Sequence, residues 1–182
     1  MRSESRASVA GIALALRALT HILGRTVQAG EMVFAQAEKP RLAPPAALRA
    51  LAAGEAPPAL ERTRRWAEDT VVDFSISHAG PWVACAALSR GCVGLDLEMG
   101  TDRRIADWVV REAALKASGE GLRALRELEE LDVCEGRLRW RGGVWHVRRL
   151  TGFEGASACV VSSIEVLAVE TRAMALAELF GP

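Results

Sequence analysis

The sequence has no excess of charge of either sign: lysine plus arginine and aspartate plus glutamate each total 23 in 182 residues. That balance removes the case for sequence-independent binding to nucleic acid or to an anionic membrane surface, so an acidic partner has to be met by a local cluster of cations. Paired cysteines are also missing. Cys85, Cys92, Cys134 and Cys159 form no C-x-x-C pair, and their apolar or strand-like surroundings fit reduced, buried thiols in a cytosolic protein better than a zinc site. No apolar run is long enough to cross a bilayer. The best candidate, Val9 to Leu23, is too short and is interrupted by Arg17 and His21. Arg2 and Arg6 precede that run as they would in a signal peptide, but the run is broken and no clear cleavage site follows it. A cytoplasmic monomer without a membrane segment is expected. With half its residues apolar, the chain can form one sizeable domain or two small halves on a shared core.

The pattern along the chain is mixed. Val9, Ile12, Leu16, Leu19 and Leu23 recur at helical spacing and predict an amphipathic helix. Alternation around Met32 and Phe34 predicts a strand that turns near Lys39 and Pro40. Ala43 to Thr70 is rich in alanine and proline, carries Arg62, Arg64 and Arg65, and reads as an inserted loop with short helical pieces. "VVDFSISHAGPWVACAAL" predicts a hairpin with a Gly-Pro turn, and "CVGLDLE" a further strand. Ile105 to Ser118 predicts a helix ended by Gly119 and Gly121. "LDVCEG", "RLRWRGG", "VWHVRRL" and "ASACVVSS" predict a meander of short strands. A closing strand near Ser163 to Val169 and a helix from Arg172 to Phe180 complete the expectation, an α+β fold.

Chemistry concentrates in the middle. In the strand, Asp96 and Glu98 point the same way, roughly 7 Å apart at the backbone. On the helix, Trp108, Glu112 and Lys116 share a face at successive i, i+4 positions. Taken alone, Glu112 and Lys116 read as a solvated ion pair. Two carboxylates on one face of a strand, however, repel each other unless a cation lies between them. Three carboxylates with no sulfur or histidine nearby suit a hard cation, Mg²⁺ above all, whose shell phosphate oxygens complete. A serine-histidine hydrolase built on Ser75, Ser77 and His78 fails for want of G-x-S-x-G, and because neighbours in a strand face opposite ways.

"VGLDLE" and "WVVREAALKASGEGL" closely resemble the signature of 4'-phosphopantetheinyl transferases of the surfactin-synthetase-activating type, G-I-D-I-E followed by W-x-x-K-E-A-x-x-K-x-x-G-x-G-L. "FSISHAGPWVACAAL", "EKPRL" and "GFEGASACVVSS" resemble further blocks of that family, with Arg6 ahead of them. The resemblance implies a pseudo-twofold α+β fold of two similar α/β halves, 1–90 with its insertion at 43–70 and 91–182, with the ligand cleft between them. It implies transfer of the phosphopantetheine arm from coenzyme A to a serine of an apo carrier protein. In that scheme Asp96, Glu98 and Glu112 hold Mg²⁺, Lys116 touches the phosphates, and Glu112 or Lys116 takes the serine proton. Arg6 and His78 match positions that bind the 3'-phosphate, Lys39 and Pro40 match a loop beside the adenine, and Ser77 and Arg111 complete the coenzyme A contacts. Phosphoryl transfer needs in-line positioning and charge neutralisation more than covalent chemistry, and a metal with a lysine supplies both.

The chain departs from the family pattern in three ways. Nine residues separate Glu98 from Trp108, where the family carries a further helix and loop that help dock the carrier, so docking is expected to shift to Arg103, Arg104 and the inserted arginines. Arg111 replaces the usual lysine, and basic residues that usually precede the first helix are missing, which implies weaker coenzyme A binding. The alternative function is a degenerate relative that binds a carrier protein or coenzyme A without catalysing transfer.

Overall fold

The computed structural model describes residues 2–34, 39–43, 72–119, 133–134, 136–140, 142–166 and 168–180, excluding the side chains of 2–6 and 134. The mixed α+β class expected from the sequence is present. The inserted segment, apart from Ala43, and Gly121 lie outside the described residues, as does the side chain of Arg6.

Helix α1, Arg2–Leu23, starts earlier than the apolar spacing suggests. Its inner face runs through Ala15 and Leu19 and packs, with Ile12, Leu16 and Leu23, against Phe74, Ile76, Cys85 and Ala87. Val9 is exposed, contrary to its place in the apolar repeat. The helix makes its close approach through Gly11, where a Cβ would lie 2.5 Å from Ile76 Cγ2, and Val9 falls off that line. After a 3₁₀ turn at Ala29–Glu31, the two-residue strands β1 (Met32–Val33) and β2 (Arg41–Leu42) pair antiparallel. The expected hairpin follows as β3 (Asp73–Ala79) and β4 (Trp82–Leu88), turned by Gly80 at φ 56°.

Strand β5, Val93–Met99, is the edge of a five-stranded antiparallel sheet in the order β5, β9 (Ala156–Ser162), β8 (Gly143–Leu150), β7 (Arg137–Trp140), β6 (Val133–Cys134). Helix α2, Arg103–Ser118, covers one face of it. Asp102 caps that helix, accepting from the N–H groups of Arg104 and Ile105, which explains a start two residues before the expected one. Gly119, at φ 70°, donates to the carbonyls of Leu115 and Lys116 and closes it, as expected. Val109, Val110, Ala113 and Ala114 pack on Leu138, Trp140, Trp145, Cys159 and Val161. Burying one such valine or leucine side chain contributes about 1.5–3 kcal/mol. Gly94 brings helix and strand together. A Cβ there would lie 1.9 Å from the carbonyl oxygen of Ala113 and 2.4 Å from the amide nitrogen of Ala117.

The C-terminal expectation is corrected. The chain leaves the sheet at Ser162, and the described part of 163–169 forms no strand. Ser162 Oγ donates to the carbonyl of Ile164, bending the backbone, while Ser163 donates its N–H to the Cys92 carbonyl and accepts from the Cys92 N–H, ending the ladder there. The last helix, α3, begins at Leu176 rather than Arg172. It rests on α1 through Arg17, which donates to the Glu178 carbonyl.

Candidate metal centre

Strand β3 lies alongside β5, with side-chain ties at successive levels. Asp73 accepts from the Val93 N–H at 2.7 Å, Ser77 donates to Asp96 at 3.0 Å, and Met99 fills the space over Gly80. The site grows from this seam and from α2, which faces the same side of β5.

Gly94, Asp96 and Glu98 alternate onto the α2 side, opposite Val161, Cys159 and Ser157 of β9. Gly94 admits the helix, and Asp96 and Glu98 then meet the face carrying Glu112 and Lys116. One carboxylate oxygen from each of Asp96, Glu98 and Glu112 lies within 4.8 Å of the others. The three residues that the sequence pattern put on two separate elements are therefore one cluster. Burial, followed by the repulsion of the Asp96 carboxylate, pushes the Glu112 carboxyl above its ordinary value, and Lys116 only partly offsets this.

Lys116 Nζ donates to Asp96 Oδ1 at 2.6 Å and to Ser77 Oγ at 3.2 Å. The Asp96 side chain is 2% exposed and that of Lys116 31%, so the ammonium stands at the mouth of a buried carboxylate. Both donors to Asp96 converge on Oδ1. Its Oδ2 is buried without a hydrogen-bond partner among the described residues. An orphaned carboxylate oxygen costs free energy unless something positive meets it, and here it belongs to a group of three carboxylates. The donor set is all oxygen, which fits Mg²⁺ or another hard divalent cation. Beside it, Glu98, Met99, Arg104, Ile105 and Trp108 line an open groove of about 360 Å³.

The remaining expected site residues are dispersed. His78 is exposed on β3 and alternates onto the side of Phe74 and Ile76, which faces α1. Arg111 is half-buried next to Glu112 on α2. Pro40 lies beside β2, half-buried. Lys39 turns inward, donating to Asp73 Oδ2 and to the Val93 carbonyl at 2.6 Å, with only 9% of its side chain exposed. Burial lowers its pKa despite the aspartate beside it.

Two features escaped the sequence reading. One is the Lys39–Asp73 pair, whose members are 34 residues apart and leave no local pattern. The other is the placement of Ser77 between Asp96 and Lys116, for which the only signal was the alternation that put Ser75 and Ser77 on one face of a strand. No known family profile matches this chain, and no curated protein matches it.

Proposed function

We propose that the chain is a Mg²⁺-dependent phosphopantetheinyl transferase, moving the 4'-phosphopantetheine arm of coenzyme A onto a serine hydroxyl of an apo carrier protein. The observation that carries this reading is the cluster of Asp96, Glu98 and Glu112 with its orphaned Asp96 Oδ2 and the Lys116 ammonium beside it. The resemblance of the central motifs supplies the substrate class, and the two halves of the pseudo-twofold fold would be 1–90 and 91–182.

Asp96, Glu98 and Glu112 would hold the cation. When bound, it supplies charge neutralisation for the pyrophosphate oxygens. Lys116, partly open to solvent, offers its third N–H to a phosphate oxygen as negative charge develops there. Glu112 or Lys116, both at the edge of the cluster, would accept the serine proton. The serine oxygen then bonds to the β-phosphorus, the bond between that phosphorus and the bridging oxygen breaks, and 3',5'-ADP leaves with the electron pair. His78 and Arg6 would take the 3'-phosphate. The groove at Met99, Ile105 and Trp108, edged by the exposed Arg103 and Arg104, offers an acidic carrier both an apolar seat and cations next to Glu98.

The test is incubation of purified protein with fluorescent coenzyme A, Mg²⁺ and a panel of apo carrier proteins. Labelling that disappears with chelator and with Glu112→Gln is expected. Binding of coenzyme A or carrier without labelling of any carrier would replace this reading with the non-catalytic one.

A further inference from the structure

The pair Ser77–His78 is contiguous in sequence but divided in space. Strand alternation sends the two side chains to opposite faces. His78 is exposed, whereas Ser77 is 6% exposed and faces the carboxylate cluster. A serine hydroxyl has one proton to donate and two lone pairs. Here the proton goes to Asp96 Oδ1 at 3.0 Å, and one lone pair accepts from Lys116 Nζ at 3.2 Å. Lys116 also reaches Asp96 Oδ1 directly at 2.6 Å, so the three groups close a triangle on one carboxylate oxygen.

The consequence lies in the other oxygen. With Oδ1 held by two donors from different elements, β3 and α2, the carboxyl group cannot rotate freely, and among the described residues Oδ2 is the oxygen left without a partner. We infer that Ser77 is a positioning residue of the metal centre: it fixes the rotation of Asp96 so that Oδ2 is presented to the cation, and it is not a contact for coenzyme A. This rests on the cation-site reading above and departs from the role that the family resemblance implies for Ser77. Groups that orient metal ligands without touching the metal typically change affinity about 10–100-fold when removed.

The experiment titrates Mn²⁺ into the metal-free protein, following its electron paramagnetic resonance signal, and separately titrates coenzyme A in the presence of chelator by calorimetry. Ser77→Ala removes one buried oxygen and should weaken Mn²⁺ binding about tenfold while leaving metal-free coenzyme A binding as in wild type. Should the alanine variant fail to fold, Ser77→Cys carries the same test, being similar in shape with a much weaker donor. Unchanged Mn²⁺ affinity in the folded variant overturns the inference, as does an equal loss of both affinities. Wild-type protein that binds no Mn²⁺ removes the cation site itself, an outcome distinct from wild-type binding that Ser77→Ala leaves intact.

Discussion

Two lysine–aspartate pairs flank strand β5, and they are built to opposite ends. Lys39 and Asp73 are closed off, with side chains 9% and 13% exposed, and the ammonium also satisfies the Val93 carbonyl while Asp73 Oδ2 accepts the Val93 N–H. Lys116 and Asp96 are left open: the lysine reaches solvent, Asp96 Oδ2 has no partner among the described residues, and two more carboxylates crowd the same point. The first pair fastens β3 to the start of β5. The second carries more negative charge than its lysine can neutralise, which is the condition for recruiting a cation. The sequence contains only these two lysines among its 23 basic residues, and both sit beside β5. A buried pair is weak evidence for net stability; what distinguishes these two is how completely each is satisfied.

The largest expected effect breaks the closed pair. Lys39→Ala leaves Asp73, among the described residues, buried with only a backbone donor, and the loss of stability should be about 3–5 kcal/mol by denaturant unfolding. Replacing both partners, Lys39→Met with Asp73→Leu, should recover only part of that loss, because no unpaired charge remains but the Val93 N–H and carbonyl lose these partners. A double variant as unstable as the single one would mean that the hydrogen bonds to Val93, and not the unpaired charge, set the loss.

Gly94→Ala attacks the open pair without touching the closed one. The added Cβ meets the backbone of α2 at Ala113 and Ala117, so the helix must shift. A loss of about 1–3 kcal/mol is expected, together with loss of Mn²⁺ binding, since Glu112 and Lys116 move with the helix. Stability and Mn²⁺ affinity equal to wild type would show that the close approach at Gly94 does not set the site.

The smallest effect sharpens the comparison. Because the Glu112 carboxyl is held above its ordinary value in the fold, the native state binds this proton more tightly than the unfolded chain does. Stability of the metal-free protein should therefore fall as pH rises from the ordinary glutamate value through the raised one. Glu112→Gln lacks that slope and should be the more stable of the two at neutral pH. The group is partly exposed and screened by solvent, so the difference stays below about 1 kcal/mol. Thermal melts across pH 4 to 8 check the sign, and a variant less stable than wild type at neutral pH would contradict it.

What could be read from the sequence follows from the range of the interactions. The shared face of Trp108, Glu112 and Lys116 comes from spacing within one helix, and the common side of Asp96 and Glu98 from the period of one strand. Both are local, and both survive in the structure. The Gly119 cap and the β3–β4 hairpin are local in the same sense. The role of Asp102 as helix cap is also local, since an aspartate just ahead of a helical segment is a start signal. Lys39 with Asp73, and Ser77 with Asp96 and Lys116, join residues 34, 19 and 39 positions apart, so only folding brings them together. The expected strand at 163–169 failed for a related reason. Its composition allows a strand, but the hydrogen bonds made by Ser162 and Ser163 take the chain out of the sheet at the end of β9.

The central claim is that the open pair and its two added carboxylates form one divalent-cation site, and the most direct measurement is a Mn²⁺ titration of metal-free wild type beside Glu112→Gln. The account predicts a single site in wild type, displaced by Mg²⁺ and abolished in the glutamine variant, whose fold remains intact. Equal binding by the two proteins, or none in wild type, would contradict it.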